Sequence, residues 1–137
     1  MNINRFIEAQ ESPYTVFNIA LEEIRSGRKQ SHWIWFIFPQ LRGLGRSYNA
    51  NFYGLADKAE AEEFYAHPVL CSRLREITQA LLLHRGKNPK DVLGGIDAMK
   101  VRSCMTLFDI ISPNDIFAEI LESFYDGKPC RRTLALL

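Results

Sequence analysis

An all-α fold is what this sequence predicts, on three observations. Proline stands where a helix would begin at several places, and apolar residues recur at helical spacing between those prolines. No stretch sustains the apolar–polar alternation of a half-buried strand, and no Asn-Gly or Asp-Gly hairpin turn sits between alternating segments. Pro suits the first helical turn because its missing N–H would have no partner there, and a Ser or Asn before it can cap the turn. Ser12-Pro13, Asn88-Pro89 and Ser112-Pro113 carry that signature, while His67-Pro68 and Lys128-Pro129 carry part of it.

Taken in order, Tyr14, Phe17, Leu21 and Ile24 fall on one face of a helix that Gly27 should end. The run from His32 to Phe38 is nearly all large and apolar, which belongs in a core. Gly27 and Pro39 bracket about three turns, so this segment reads as a buried aromatic central helix. A short extended piece is expected around Phe52-Tyr53-Gly54-Leu55. Asp57 followed by Glu60 resembles a capping box for a short helix ending before Pro68. Leu70, Leu74, Ile77 and Leu81 mark the next helix, expected to run to about Arg85 with Gly86 as its stop. Asn88-Pro89 should start a single turn closed by Gly94-Gly95. Val101, Cys104, Met105, Phe108 and Ile111 then form a stripe on a helix from about Asp97 to Ile111. Pro113 should open a helix with Phe117, Ile120, Leu121 and Phe124 inward and Gly127 at its end, and Pro129 permits a last one carrying Leu134 and Leu137.

With 137 residues the chain predicts one domain over 1–137, large enough to bury a core without disulfides or metal. A hydrophobic share of 47% with 24% charged residues excludes disorder, and no apolar run approaches the length that spans a bilayer, so no membrane association is expected. Seventeen basic residues nearly balance sixteen acidic ones, which argues against a nucleic-acid partner. The N-terminus has no apolar core region and carries Glu8 early, so a cytosolic location is expected. Cys71, Cys104 and Cys130 are widely spaced, lack a C-x-x-C pair, and read as free thiols with no sequence reason to be reactive.

Several motifs together resemble a known family. They are Gly27-Arg28-Lys29, His32-Trp33-Ile34-Trp35-Phe36, Phe38-Pro39-Gln40, Gly43-Leu44-Gly45 with Ser47, and Glu60-Ala61. His67-Pro68-Val69-Leu70, Arg73-Leu74, Asp97 with Lys100, Ser103 to Phe108, and Thr133-Leu134 continue the pattern nearly to the end. The combination resembles the uncharacterised bacterial family known as domain of unknown function 1810, some of whose members carry the automatic label calpastatin. The resemblance implies a compact, predominantly helical domain and no assigned chemistry. Cys71 departs from the pattern, which tends to have Gly there.

The residues that could carry chemistry concentrate in one place. His32, His67 and His84 lack metal-ligand spacing, so no metal site is expected, and no G-x-S-x-G motif is present. Gly43-Leu44-Gly45-Arg46-Ser47 offers backbone N–H groups, a guanidinium and a hydroxyl to an anion, although it is neither a dinucleotide fingerprint nor a P-loop. His32, Trp35, Gln40, Gly43, Gly45, Arg46 and Ser47 are therefore expected to line one anion-accepting pocket, with Lys100 on its wall. Trp35 would stack a planar ring, Gln40 would read its edge, and His32 is the candidate for proton transfer. The implied partner is an anionic or nucleotide-like small molecule; cofactor and reaction are not specified, and whether the protein is an enzyme stays open. The alternative is a non-enzymatic interaction or structural module whose aromatic stretch is only core.

Overall fold

Among the described residues, five helices are opened by an N-cap side chain. A computed structural model describes residues 2–12 and 15–137, which form ten helices, with no β-strand among the described residues beyond one isolated bridge. The expected start at Ser12-Pro13 and the inward Tyr14 fall on or against Pro13 and Tyr14, which lie outside the described residues. Helix α1 spans Asn4–Glu11, an element the sequence reading did not anticipate, and α2 spans Val16–Arg25. After them come α3 (Ile34–Ile37), α4 (Tyr48–Phe52) and α5 (Lys58–Ala66). Asp57 caps α5 by accepting from the Glu60 N–H at 2.8 Å, while the Glu60 carboxylate accepts from the Ala56 N–H at 2.8 Å. The expected capping box is thus present with its return bond one residue upstream.

His67 accepts at Nδ1 from the Val69 and Leu70 N–H groups at 3.2 and 3.4 Å and opens α6, Pro68–Leu82, which gives way to a turn short of Arg85. Cys71 sits inside this helix without disturbing it, its N–H donating to the His67 carbonyl at 2.9 Å. Asn88 caps α7 (Pro89–Leu93), and Gly94 separates it from the long α8, Gly95–Ile111. Helix α9 begins at Ile116 rather than at Pro113, because the Asp115 carboxylate supplies the cap at 2.7 Å and Asn114 takes a left-handed φ of 59°. It ends at Tyr125, and α10 covers Arg131–Leu136.

The core runs along α8. Val101, Cys104, Met105, Leu107 and Phe108 are buried there, and Phe108 lies 5.7 Å from the Phe64 ring and 5.8 Å from Phe117. Phe64 in turn meets Phe6 edge to face at 5.0 Å, which ties α1 to the same apolar cluster. Arg5, nearly sealed from solvent, uses all five guanidinium donors. They reach the Phe52 and Asn2 carbonyls at 2.8 Å, the Gly54 carbonyl at 3.0 Å, and Glu60 at 3.0 and 3.1 Å. The extended piece expected near Phe52–Leu55 contracts to Leu55, which bridges Leu41 in parallel: Leu55 N–H donates to Gln40 at 2.9 Å and Arg42 N–H to Leu55 at 2.8 Å.

Candidate functional site

Trp33, Ile34, Ile37 and Phe38 of the central aromatic run are buried, but only one turn of it is helical. Glu23, on α2, takes the backbone that a longer helix would need. Its carboxylate accepts from the Gln30 N–H at 2.8 Å, the Ser31 N–H at 2.9 Å, the Ser31 hydroxyl at 2.5 Å and the Trp33 indole at 3.0 Å. Burial alone would raise the Glu23 carboxyl, but these donors outweigh it and hold the group below its ordinary value. Lys29 reinforces the loop: its N–H donates to the Val92 carbonyl at 2.7 Å, and its side chain, 6% exposed, brings the ammonium to 2.8 Å from Asp97 above the Trp33 ring. Residues 28–33 are therefore an irregular strap, and His32, expected within the buried helix, is exposed on it. Trp33 is fully buried, whereas Trp35 is partly exposed and its indole N–H is buried with no acceptor among the described residues.

Beyond the strap a cleft of about 210 Å³ opens between three segments. Gln40, Leu44 and Gly45 come from the loop after α3, and Cys130 and Arg132 from the start of α10. Ile96, Met99, Lys100 and Ser103 come from α8 at i, i+3, i+4 and i+7, the helix face beside the inward stripe, with Arg102 at its edge. A second, more open cleft of about 420 Å³ adjoins it, sharing Ile96 and Lys100 and bounded also by Lys29, His32, Trp35 and Asp97. The Gly45 position is tight: a Cβ there would stand 2.7 Å from the Ala50 Cβ, so a side chain would push against α4.

Charge in the smaller cleft has one sign. Lys100, Arg102 and Arg132 line it and no carboxylate does. Arg102 is held by the Lys128 and Pro129 carbonyls at 2.8 and 3.1 Å, and Arg132 reaches the Leu44 carbonyl at 3.4 Å. Gln40 is 7% exposed, and its side chain lines the cleft with no hydrogen-bond partner among the described residues. Behind it a void of about 10 Å³ separates it from Trp35, Ala50, Tyr53 and Gly54, room for about one water.

At the far wall, the Ser103 hydroxyl lies 3.3 Å from Cys130 Sγ and 3.2 Å from the Met99 carbonyl. Burial would raise the Cys130 thiol, but hydrogen bonding, led by Ser103, lowers it below the usual cysteine value. The Thr133 hydroxyl and the N–H groups of Arg132 and Thr133 act in the same direction. They fall short of full hydrogen-bond geometry, so Ser103 is the contact that carries the effect.

Of the residues expected in one pocket, Gln40, Gly45 and Lys100 meet in the smaller cleft, and His32 and Trp35 join Lys100 in the adjoining one. Gly43, Arg46 and Ser47 line neither. Ser47 spends its hydroxyl capping α4, accepting from the Ala50 N–H at 3.1 Å. Arg46 is exposed, and its guanidinium makes no hydrogen bond or ion pair among the described residues. Gly43 is exposed too, and the left-handed φ of 105° there shapes the turn. Ser103, Cys130, Arg102 and Arg132 were not anticipated, because they are far from the aromatic run in sequence. The one available signal was that Ser103 shares a helix face with Lys100. Among the described residues no group of three or more His, Cys, Asp or Glu is placed to hold a metal ion, and no helix is long and apolar enough to cross a membrane.

Helices gathered on α8, with a cationic cleft between that helix, the Gln40–Gly45 loop and the start of α10, define a small all-α protein whose candidate site draws partly on irregular backbone. The same fold is found in the conserved hypothetical protein Rv1873 from Mycobacterium tuberculosis. The two superimpose with a TM-score of 0.93 at 40% sequence identity, covering 98% of this chain and 95% of that one. A family model described as protein of unknown function (DUF1810) matches residues 1–137, and the chain belongs to that family. A search of curated proteins finds no match.

Proposed function

We propose that this protein binds a small anionic molecule in the cleft between the Gln40–Gly45 loop, α8 and the start of α10. The observation that carries this reading is the lining itself: among the described residues it holds three cations, no carboxylate, and the side chain of the buried Gln40, which makes no hydrogen bond. Leu44, Ile96 and Met99 give the same cleft apolar walls, so the ligand has an apolar part beside its charge. A planar, nucleotide-like ring would find the Trp35 face in the adjoining cleft, with Lys100 between the two. His32 borders that second cleft, where its imidazole faces a bound molecule as a donor or acceptor of a proton.

The test is a thermal-shift screen with phosphorylated and carboxylated metabolites, followed by calorimetry on any that raises the midpoint. A ligand at 100 times its Kd adds about 2.7 kcal/mol of stability. Lys100→Met and Arg132→Ala should each weaken the bound anion about tenfold or more, as expected for loss of a charge-assisted contact. Arg46→Ala, outside the cleft, should not. Anions that bind all three variants as tightly as wild type would overturn the proposal. A second reading, a protein-interaction module, is supported by Ile96 and Met99, which are 74% and 69% exposed at the mouth. It gains if no small anion shifts the midpoint.

A further inference from the structure

Cys71, Cys104 and Cys130 occupy three different environments. Cys104 is fully buried, and desolvation raises its thiol well above the ordinary value, so it is inert. Cys71 is half-buried on α6, away from both clefts. Cys130 stands in the wall of the cleft that Gln40 and Lys100 line.

The hydrogen bonding around Cys130 suits a sulfur that gains and loses a proton. Ser103 has one hydroxyl proton and two acceptors within reach, the Met99 carbonyl at 3.2 Å and Cys130 Sγ at 3.3 Å. With a neutral thiol, the S–H can donate to the Ser103 oxygen while that hydroxyl donates to Met99. With a thiolate, the hydroxyl turns to the sulfur. Both states are satisfied by one rotation, and the lowered thiol pKa agrees with that arrangement. From α8 Lys100 and Arg102 line this cleft, from α10 Arg132 does, and the loop carrying Gln40 adds no titratable group. Gln40, a residue 7% exposed whose side chain lines the cleft and makes no hydrogen bond among the described residues, is an independent sign that something polar completes the cleft.

We propose that Cys130 is a thiol-exchange centre, its Sγ attacking low-molecular-weight disulfides whose substituents carry negative charge. This rests on the reading of the cleft as an anion site and adds the reaction. The Cys130 thiolate attacks one sulfur of R–S–S–R. A protein–S–S–R bond forms as the R–S–S–R bond breaks, and the departing RS⁻ takes up the proton that Cys130 released. The protein thiol is oxidised and half of the disulfide is reduced to RSH, so no other oxidant is required. Lys100, Arg102 and Arg132 hold the charge of R, the Gln40 amide donates to it, and Ser103 is a positioning residue for the sulfur.

Three disulfides of matched size test this on the reduced full chain: 3,3′-dithiodipropionate, bis(2-hydroxyethyl) disulfide and cystamine. Adduct formation is followed by intact mass, mapped by peptide mass, and each rate is divided by that of 2-mercaptoethanol with the same disulfide. The adduct is expected on Cys130, with the normalised anionic rate about tenfold or more above the cationic one, a preference that added salt reduces. Cys130→Ser should abolish the adduct and Cys71→Ser keep it. Ser103→Ala should move the midpoint of the rate–pH profile upward, which a merely structural role would not do. Anions that bind without any Cys130 adduct overturn the exchange reaction alone. A Cys130 adduct that forms equally fast with all three disulfides overturns the anion site from which the proposal starts.

Discussion

Lys100 Nζ lies 5.1 Å from the centre of the Trp35 ring and 3.7 Å from the Asp97 carboxylate, so one ammonium joins an aromatic face to an acid at the ridge between the two clefts. An ammonium over an indole face is attracted by the ring quadrupole, yet at a partly exposed site this is worth only about 0.5–1 kcal/mol. Lys100→Met keeps most of the stem and removes the charge. Its unfolding free energy from denaturant melts should stay within about 1 kcal/mol of wild type, while anion binding falls. A large stability loss would place Lys100 in the core rather than at the site.

Glu23→Ala tests the strap. Ala removes the carboxylate oxygen that accepts from the Gln30 and Ser31 N–H groups and the Trp33 indole, and a buried indole N–H without its acceptor costs about 1–3 kcal/mol. A loss of about 2 kcal/mol is expected in urea melts, with a red shift of Trp33 emission as the strap loosens.

Acid should unfold the protein through a few identifiable carboxyls. Hydrogen bonding from Arg75 holds Asp115 far below the usual carboxylate range, assisted by the Ile116 N–H and the Ser112 hydroxyl. Burial would raise Glu60, but Arg5 and the Ala56 N–H outweigh it and lower it, as the strap donors do for Glu23. A carboxyl with a depressed native pKa stabilises the fold above its unfolded pKa, and that contribution is lost as pH falls toward the native one. Stability should therefore decline from about pH 5 downward, and Asp115→Asn should flatten that decline. Circular dichroism melts across the acid range measure it.

Phe108→Ala should cost about 3–5 kcal/mol, since the ring is fully buried among Phe64, Tyr65 and Phe117 and a cavity would remain. Guanidinium melts check this. Coincident curves would contradict the packing.

Two glycine substitutions should differ in sign. A Cβ at Gly54 would stand 2.6 Å from the Ala50 carbonyl oxygen and 2.7 Å from the Arg42 Cα, atoms that cannot step aside, so Gly54→Ala should destabilise by about 1–3 kcal/mol. At Gly95, opening α8, nothing lies within 4 Å, and Gly95→Ala should be neutral or stabilise by up to about 1 kcal/mol. Thermal midpoints measured side by side decide both.

What could be read from the sequence was what local chemistry dictates. Pro68, Pro89 and Asp57 announce their helices because cap and helix are neighbours, and the Val101–Phe108 stripe shows its buried face through spacing alone. The reading failed where a distant group decides. Glu23, up to ten residues upstream, takes the N–H groups that would have extended the aromatic helix, and this brings His32 out to the surface. Asp115 overrides Pro113 as a start signal, because a carboxylate aimed at the first turn outweighs a favourable φ. The same division holds at the candidate site. Gln40, Gly45 and Lys100 were legible from the density of polar and glycine residues near the tryptophans and from the register of α8. Cys130 and Ser103 were not, because 27 residues separate them and only the return of α10 onto α8 joins them.

The five-donor engagement of Arg5 has a consequence for how the molecule opens. Its partners at Phe52, Gly54 and Glu60 lie 47 to 55 residues away, so no local turn can assemble this contact. The Gly54 carbonyl also accepts from Arg42 at 2.9 Å, and the segment that follows Gln40 and Gly45 is held from both sides at this point. Detachment of α1 would free the guanidinium and slacken the loop behind the cleft in one cooperative step. Amides of Arg42 and Leu55 should then exchange with solvent at the rate of α1 release, well before those of α8, leaving a partly opened form in which the core persists and the cleft has lost its back wall.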